Sequence, residues 1–349
     1  MRILVTGGAG FIGSHFVRTL LGPAGPGGDL AVTVLDALSP TGDRANLWPV
    51  EDHPCLEFVQ GTTRDLALID ALARHHEMVV HFAAESATDL PAADLPAANE
   101  SAYAATNVLG TQTLLDAAVR HGVQRFVHVS TDEVYGAIPA GSWKESEALA
   151  PATPYAASKA GADLLALACH RTHGLDVRVT RCSATYGPYQ SLERTIPRFV
   201  TRLLAGRGLP PSGPALPTRE WLHVDDHCRA IRLVLDGGRP GEVYNIGGGP
   251  ELTSKQLTDR LLTALDADRG RVGHAIDSAP PPGARPRYAA NWAKIRTELG
   301  YAPRHSFEDG LAETIEWYRD HPTWWQRGRP EQRERRQQRE RREQQEAVR

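Results

Sequence analysis

The chain has 349 residues, enough for one large α/β domain with an appended lobe or for two modest domains. Its hydrophobic fraction of 41% is ordinary for a globular protein, and a formal net charge of -3 gives no global pull toward nucleic acid or a membrane surface. Cys55, Cys169, Cys182 and Cys228 are scattered without a Cys-x-x-Cys pair, which argues against a disulfide framework or structural zinc and fits a reducing cytosol. No apolar run is long enough to span a bilayer, and the first residues enter a strand without signal-peptide architecture, so a cytoplasmic location is expected.

Ile3 to Thr6 reads as a short apolar strand. Gly7-Gly8-Ala9-Gly10-Phe11-Ile12-Gly13 follows and opens a helix, Phe11 to Leu21. Small residues there let the backbone approach a pyrophosphate, which the free N–H groups and the positive end of the helix then bind. Ala31 to Leu35 is a buried strand that ends at Asp36. A carboxylate in that place binds a ribose 2′-hydroxyl and repels a 2′-phosphate, so NAD is favoured over NADP. Leu56 to Gln60, Met78 to Phe82 and Arg125 to Ser130 are further strands, and Asp65 to Arg74 and Tyr103 to His121 have helical periodicity. Pro154 to His173 continues the series as a helix and Asp176 to Arg181 as a strand. This alternation predicts an α/β fold, a doubly wound parallel sheet of the Rossmann kind with helices on both faces.

The second half is less regular. Ile196 to Ala205 and His227 to Leu235 read as helices, and Glu242 to Ile246 as a strand. Thr253 and Gln256 have capping-box spacing before a helix to Leu265, and Ser306 and Asp309 repeat that spacing before Leu311 to Arg319. These pieces suggest a smaller C-terminal α/β substrate lobe. The expected organisation is a cofactor-binding domain over 1–182, a substrate lobe over 183–326 interleaved with the sheet, and a charged tail over 327–349. Ala279 to Arg287 is a Pro-rich loop. The Arg/Glu/Gln tail has no apolar stripe to bury, so a solvated tail is expected rather than a nucleic-acid contact. Trp324-Trp325 is expected to anchor packing. No metal site is expected at His75-His76 or at the pair His223 and His227.

Tyr155-x-x-x-Lys159 places a phenol and an ammonium on one helix face. Together with the Gly-x-x-Gly-x-x-Gly loop it resembles the extended short-chain dehydrogenase/reductase family, over nearly the whole chain to about Trp325. The resemblance implies that Tyr155 is a base, that Lys159 lowers its pKa and holds the nicotinamide ribose, and that Ala83 joins the cofactor contacts. Ser130-Thr131-Asp132-Glu133-Val134-Tyr135-Gly136 narrows the likeness to the dTDP-glucose 4,6-dehydratases. Further matches are Ala83-Ala84-Glu85-Ser86, Thr106-Asn107-Val108-x-Gly110-Thr111, Arg181-Cys182-Ser183, Tyr186-Gly187-Pro188-Tyr189-Gln190 and the run Arg219 to Cys228. What this implies is oxidation at C4 of a sugar, loss of water across C5 and C6, and return of the hydride to C6. Glu133 would be the C5 base, Asp132 the acid for the C6 hydroxyl, and Thr131 a hydrogen-bond partner of the C4 oxygen. Ser86, Arg194, Arg219, Arg285 and Arg287 would bind a nucleotide-sugar substrate. The likeness also implies a homodimer built on the helices Tyr103–His121 and Pro154–His173.

The departures from that pattern cluster around the substrate. Ala87 to Leu90 replaces His-Val-Asp-Arg, Ala184-Thr185 replaces Asn-Asn, and Pro281 and Ala284 stand in a loop that normally carries a phosphate-binding Arg. Gly61-Thr62 replaces a Gly-Asp pair. The acid–base residues are intact, so the reaction type is better marked than the substrate. The open alternatives are the same chemistry on another nucleotide sugar or a nucleoside, a C4 epimerase, and a nucleotide-binding pseudoenzyme.

Overall fold

The computed structural model describes residues 1–23, 25, 30–39, 41–86, 100–209, 217–268, 270 and 287–327. In chain order the first strands are β1 (Arg2–Thr6), β2 (Ala31–Asp36), β3 (Leu56–Gln60), β4 (Met78–His81), β5 (Arg125–Thr131) and β6 (Val177–Cys182). They are followed by β7 (Ala184–Tyr186), β8 (Thr218–His223), β9 (Val243–Ile246), β10 (Glu251–Leu252) and β11 (Arg287–Tyr288). The helices that frame them begin with α1 (Phe11–Leu21), α2 (Leu66–Ala73), α3 (Glu100–Tyr103), α4 (Gly110–His121) and α5 (Pro154–His173). Then come α6 (Thr195–Leu204), α7 (Val224–Gly237), α8 (Ser254–Ala264), α9 (Ala293–Leu299), α10 (Phe307–Asp320) and α11 (Pro322–Arg327).

Seven strands pair in the order β3-β2-β1-β4-β5-β6-β9, every pair parallel. Side chains alternate across this sheet with the period of two that strands impose. Ile3 and Val5 face one core with Phe16 and Leu20 of α1 and Ile231 and Val234 of α7. Leu4, Val79 and Phe126 face the other, with Ile69, Leu114, Leu115 and Ala166. Burial on both faces explains why β4 and β6 carry no exposed residue. Winding reverses between β1 and β4, so a crevice opens at their carboxyl ends. His81 ties its floor, with Nδ1 2.7 Å from Thr6 Oγ1 and Nε2 2.9 Å from Thr111 Oγ1.

A second sheet runs β10-β8-β11, with β7 also paired to β8. Its core holds Tyr186, Phe199, Leu257, Leu261, Phe307, Leu311 and Trp325. Both expected caps form. Thr253 and Gln256 make a reciprocal capping box on α8, and Ser306 Oγ accepts from Asp309 N at the start of α10. Trp325 Nε1 donates to Tyr318 O at 2.7 Å, and Trp324 Nε1 to Asn46 Oδ1 at 3.0 Å, so both indoles anchor α11.

Several boundaries differ from the sequence reading. The helix expected from Tyr103 begins at Glu100 and changes to π geometry over Ala104–Leu109 before resuming as α4. The stretch Thr218–His223, read only as a motif, is strand β8, and α7 starts at Val224 instead of His227. The tail expected over 327–349 lies outside the described residues from 328 onward.

Gly7 leads out of β1 at φ +71°, and a Cβ there would sit 2.6 Å from Ala83 N. Gly7→Ala is expected to cost about 1–2 kcal/mol from the left-handed backbone alone, with the clash adding to it. Urea unfolding of the purified variant measures the loss; an unchanged midpoint would contradict this packing.

Candidate active site

The glycine loop is set by contact with its own turn. Gly7 N donates to Leu35 O at 2.8 Å, and a Cβ on Gly13 would lie 2.2 Å from Gly7 O. Gly10 precedes α1 without a side-chain cap, so the helix's first N–H groups face the crevice with their positive dipole end. Gly7, Gly10, Phe11, Ile12 and Gly13 all line the cleft. Asp36 is folded into the loop: Oδ2 accepts from Ala9 N at 2.9 Å and Oδ1 from Leu38 N at 2.8 Å. Burial pushes this carboxyl up, and the backbone N–H groups of Leu38, Ala9 and Gly10 oppose that. Ala83 packs over Gly7, and its neighbours Phe82 and Ala84 form the cleft wall instead.

Thr131 ends β5 and caps the short 3-10 helix Asp132–Tyr135, accepting from Glu133 N at 3.3 Å. The cap turns two adjacent carboxyl groups into different surroundings. Asp132 is 3% exposed, with Thr131 Oγ1 3.4 Å from its Oδ1. Burial pushes the Asp132 carboxyl up to about 7; Arg219 pulls against this and Glu133 adds to it. Glu133 Oε1 accepts from Arg219 at 2.9 Å. One carboxyl is thus poised to carry a proton at neutral pH while the other is ion-paired, the pattern that separates acid from base roles.

Tyr155 and Lys159 stand on the first turns of α5, which starts with the Thr153 cap and Pro154 at its first position. Lys159 Nζ donates to Val129 O at 2.8 Å, and burial pushes its ammonium down to about 8. The expected lowering of the Tyr155 pKa is not what the structure shows. Burial in the cleft wall drives the phenol upward and Glu133 reinforces this, while Arg194 and Arg219 are the cations that oppose it most. The physical reason is burial: the cost of desolvating the phenolate outweighs the pull of the nearby cations.

Of the expected substrate residues, Ser86, Arg194 and Arg219 border the cleft, as do Ala184 and Thr185. Arg287 is not brought there: its guanidinium pairs with Glu251 at 2.5 and 2.7 Å and donates to Gly141 O at 2.7 Å. Arg285, Ala87, Leu90, Pro281 and Ala284 lie outside the described residues. His223 and His227 do not share a site. His227 Nδ1 lies 3.1 Å from Thr185 Oγ1, while the His223 ring packs on Tyr186 and His305.

Residue-type reasoning missed the hub at Asn107. Its Oδ1 accepts from Glu85 N at 2.7 Å, and its Nδ2 donates to Glu85 O at 3.0 Å and to Ser158 Oγ at 2.8 Å. Ser158 passes the chain on to Tyr155 O at 2.7 Å. Asn107 sits in the π segment, and its place in the motif Thr106-Asn107-Val108-x-Gly110-Thr111 was the available signal. Gln190 and Ser191 also border the cleft without having been singled out as contacts.

A profile of the GDP-mannose 4,6 dehydratase family matches residues 4–314. The chain belongs to that family. It is 52% identical over 327 residues to a dTDP-glucose 4,6-dehydratase of Streptomyces niveus, covering 93% of this chain and 95% of the relative. A crystal structure of a dTDP-glucose 4,6-dehydratase from Streptomyces venezuelae with NAD bound superposes with a TM-score of 0.87 at 55% identity, covering 94% of this chain and all of the other. A UDP-glucose 4-epimerase of Thermotoga maritima, solved with UDP-glucose, is more distant, at 31% identity and a TM-score of 0.79 over 92% of this chain and 99% of the other.

Asn107→Leu leaves the part-buried Glu85 N–H without its acceptor and takes the amide donor from Ser158 Oγ, which keeps its bond to Tyr155 O. The expected cost is about 1–3 kcal/mol. Chemical denaturation checks it, and a stability equal to that of the unaltered protein would show that the hub is not structural.

Proposed function

We propose that the chain is an NAD-dependent dTDP-glucose 4,6-dehydratase that converts its substrate to the 4-keto-6-deoxy sugar. The observation that carries this reading is the buried Asp132 beside the ion-paired Glu133, in one cleft with Tyr155. An epimerase oxidises and re-reduces C4 and needs no acid beside a base. The relatives that carry the dehydratase name, at more than half identity, support the same choice.

The loop residues fit NAD: a Cβ at Gly7 or Gly13 would fill the turn that lets the backbone approach a pyrophosphate, and α1 offers uncapped N–H groups. Gly7, Gly10, Phe11, Ile12 and Gly13 would hold the pyrophosphate side, Asp36 the adenosine ribose, and Tyr155 and Lys159 the nicotinamide ribose. Bound NAD supplies a hydride acceptor that is itself positively charged. Tyr155 takes the proton of the C4 hydroxyl, with Thr131 donating to that oxygen. The new ketone acidifies the C5 hydrogen, which Glu133 removes once Arg219 turns to the substrate's diphosphate. Asp132 gives its proton to the C6 oxygen as water leaves; return of the stored hydride to C6 and of the Glu133 proton to C5 would then complete the 4-keto-6-deoxy sugar and leave the cofactor oxidised. Arg194 and Ser86 complete the substrate contacts in this reading, whereas Arg287 is committed to Glu251.

Ala184 and Thr185 in the cleft favour a second reading, the same chemistry on another nucleotide sugar. We further infer a homodimer through α4 and α5. Leu109, which ends the π segment before α4, and Leu164 on α5 are 61% and 54% exposed, apolar surface that a partner would cover. The four cysteines are free, which suits a reducing compartment such as the cytoplasm, and no helix among the described residues is long and apolar enough to cross a membrane.

Incubation with a panel of nucleotide sugars and nucleosides, read by mass for loss of one water, tests the assignment. Turnover of dTDP-glucose is expected; turnover of a nucleoside alone would overturn it. Glu133→Gln is expected to abolish water loss while still allowing reduced cofactor to form on dTDP-glucose. Unchanged elimination in that variant would remove Glu133 from its role. Asp132 must hold its proton to act, so elimination is expected to fall as pH rises through about 7. A rate flat across that range would contradict the acid assignment.

A further inference from the structure

Behind Tyr155 and Lys159 lies a buried charge cluster whose other members have no role in the steps above. Lys159 is 3% exposed, and charged or titratable groups face it from every strand and helix packed around it. His81 comes from β4 and His128 from β5; burial lowers both imidazoles, and a proton on either would repel the ammonium. Tyr155 and Asp163 come from its own helix, one turn before and one turn after, on the same face. Arg181 comes from β6, its Nε donating to Asp163 Oδ2 at 2.8 Å and its other arm to Tyr135 OH at 2.7 Å.

Asp163 has no solvent exposure. Burial raises its carboxyl, but His128 and Arg181 outweigh this and hold it below the usual carboxylate range, so it stays an anion. His128 Nε2 is 3.3 Å from Asp163 Oδ1, within ion-pair reach but off the line of a hydrogen bond. The carboxylate bonded to Arg181 also lies one helical turn from Lys159, where its negative charge opposes the effect of burial on that ammonium. Arg181 does not release its proton, so any loss of the anion falls on Lys159.

We propose that Asp163 is a positioning residue for the oxidation step, keeping Lys159 charged one turn from Tyr155. The proposal rests on the reading of the reaction given above. Without Asp163, Lys159 is left beside two imidazoles with no carboxylate to offset its burial. It then sheds its proton at working pH, and Tyr155 loses the nearby cation that favours its ionised form.

The chain has only four lysines, Lys144, Lys159, Lys255 and Lys294, so side-chain carbon-13 NMR of lysine-labelled holoenzyme can follow Lys159 directly. Oxidation is isolated with dTDP-6-deoxyglucose, which lacks the C6 leaving group and stops at the C4 ketone with reduced cofactor. Asp163→Asn is expected to move the Lys159 midpoint down by at least about one unit, with oxidation at neutral pH falling about tenfold and its alkaline limb moving with the midpoint. Asp163→Glu, which keeps the anion, is expected to restore both. Should the Asn variant not fold, Asp163→Ser, smaller and still able to accept from Arg181, is expected to give the same shift. A midpoint that does not move, or a loss of rate equal at every pH, overturns the proposal. A midpoint that moves in a protein with no turnover of dTDP-glucose overturns the reaction reading instead.

Discussion

The reversal of winding between β1 and β4 is the constraint on which this molecule depends. All seven strands of the main sheet are parallel, so their carboxyl ends share one edge. The reversal opens that edge into a crevice. The glycine turn after β1, the Thr131-Asp132-Glu133 segment after β5 and the Ala184-Thr185 strand after β6 all reach it because their strands end there. His81, bonded to both Thr6 and Thr111, joins the strands that part at the crevice to the helix behind them.

Water is then removed from charges that would otherwise keep their ordinary pKa values. Asp132 and Glu133 are neighbours in sequence, yet the capping turn buries one and hands the other to Arg219. Desolvation rather than a special partner makes Asp132 an acid near neutral pH. The same cost falls on Lys159, and the Asp163 carboxylate on the next turn is what offsets it. Arg181 and Tyr135 extend this network to Asn245 at 2.9 Å, linking α5, β6 and β9 through buried polar contacts. Such a network holds geometry only while each member keeps its partners.

The main sheet was legible because its strands are short apolar runs between glycine, proline and acidic turns, and α5 was legible to both its ends from Thr153-Pro154 and Gly174. Thr131, Asp132, Glu133, Tyr155 and Lys159 were picked out together from their motifs, and the structure brings all five to one cleft. Strand β8 was not legible. Thr218-Arg-Glu-Trp-Leu-His was read only as a motif, since charged Arg219 and Glu220 interrupt any apolar run; in the structure Arg219 reaches Glu133 and Glu220 is tucked against Gly247 and Gly248. Arg219 and Glu220 are partnered by Glu133 and Gly248, far away in the chain, which sequence alone does not reveal. The π segment hid for a similar reason, since Asn107 is buried by contacts to Glu85 and Ser158 from distant parts of the chain. Arg287 looked like a phosphate ligand by proximity to a motif; its pairing with Glu251 across β11 and β10 was set by the small sheet.

The central claim is that one cleft carries out oxidation, elimination and reduction without releasing the hydride. The most direct measurement is the fate of deuterium placed at C4 of dTDP-glucose, followed by mass spectrometry and NMR of the product with no reductant added. The account predicts a product lighter by one water with the label at C6. Label retained at C4, or a product that has lost water but carries no label, would contradict it.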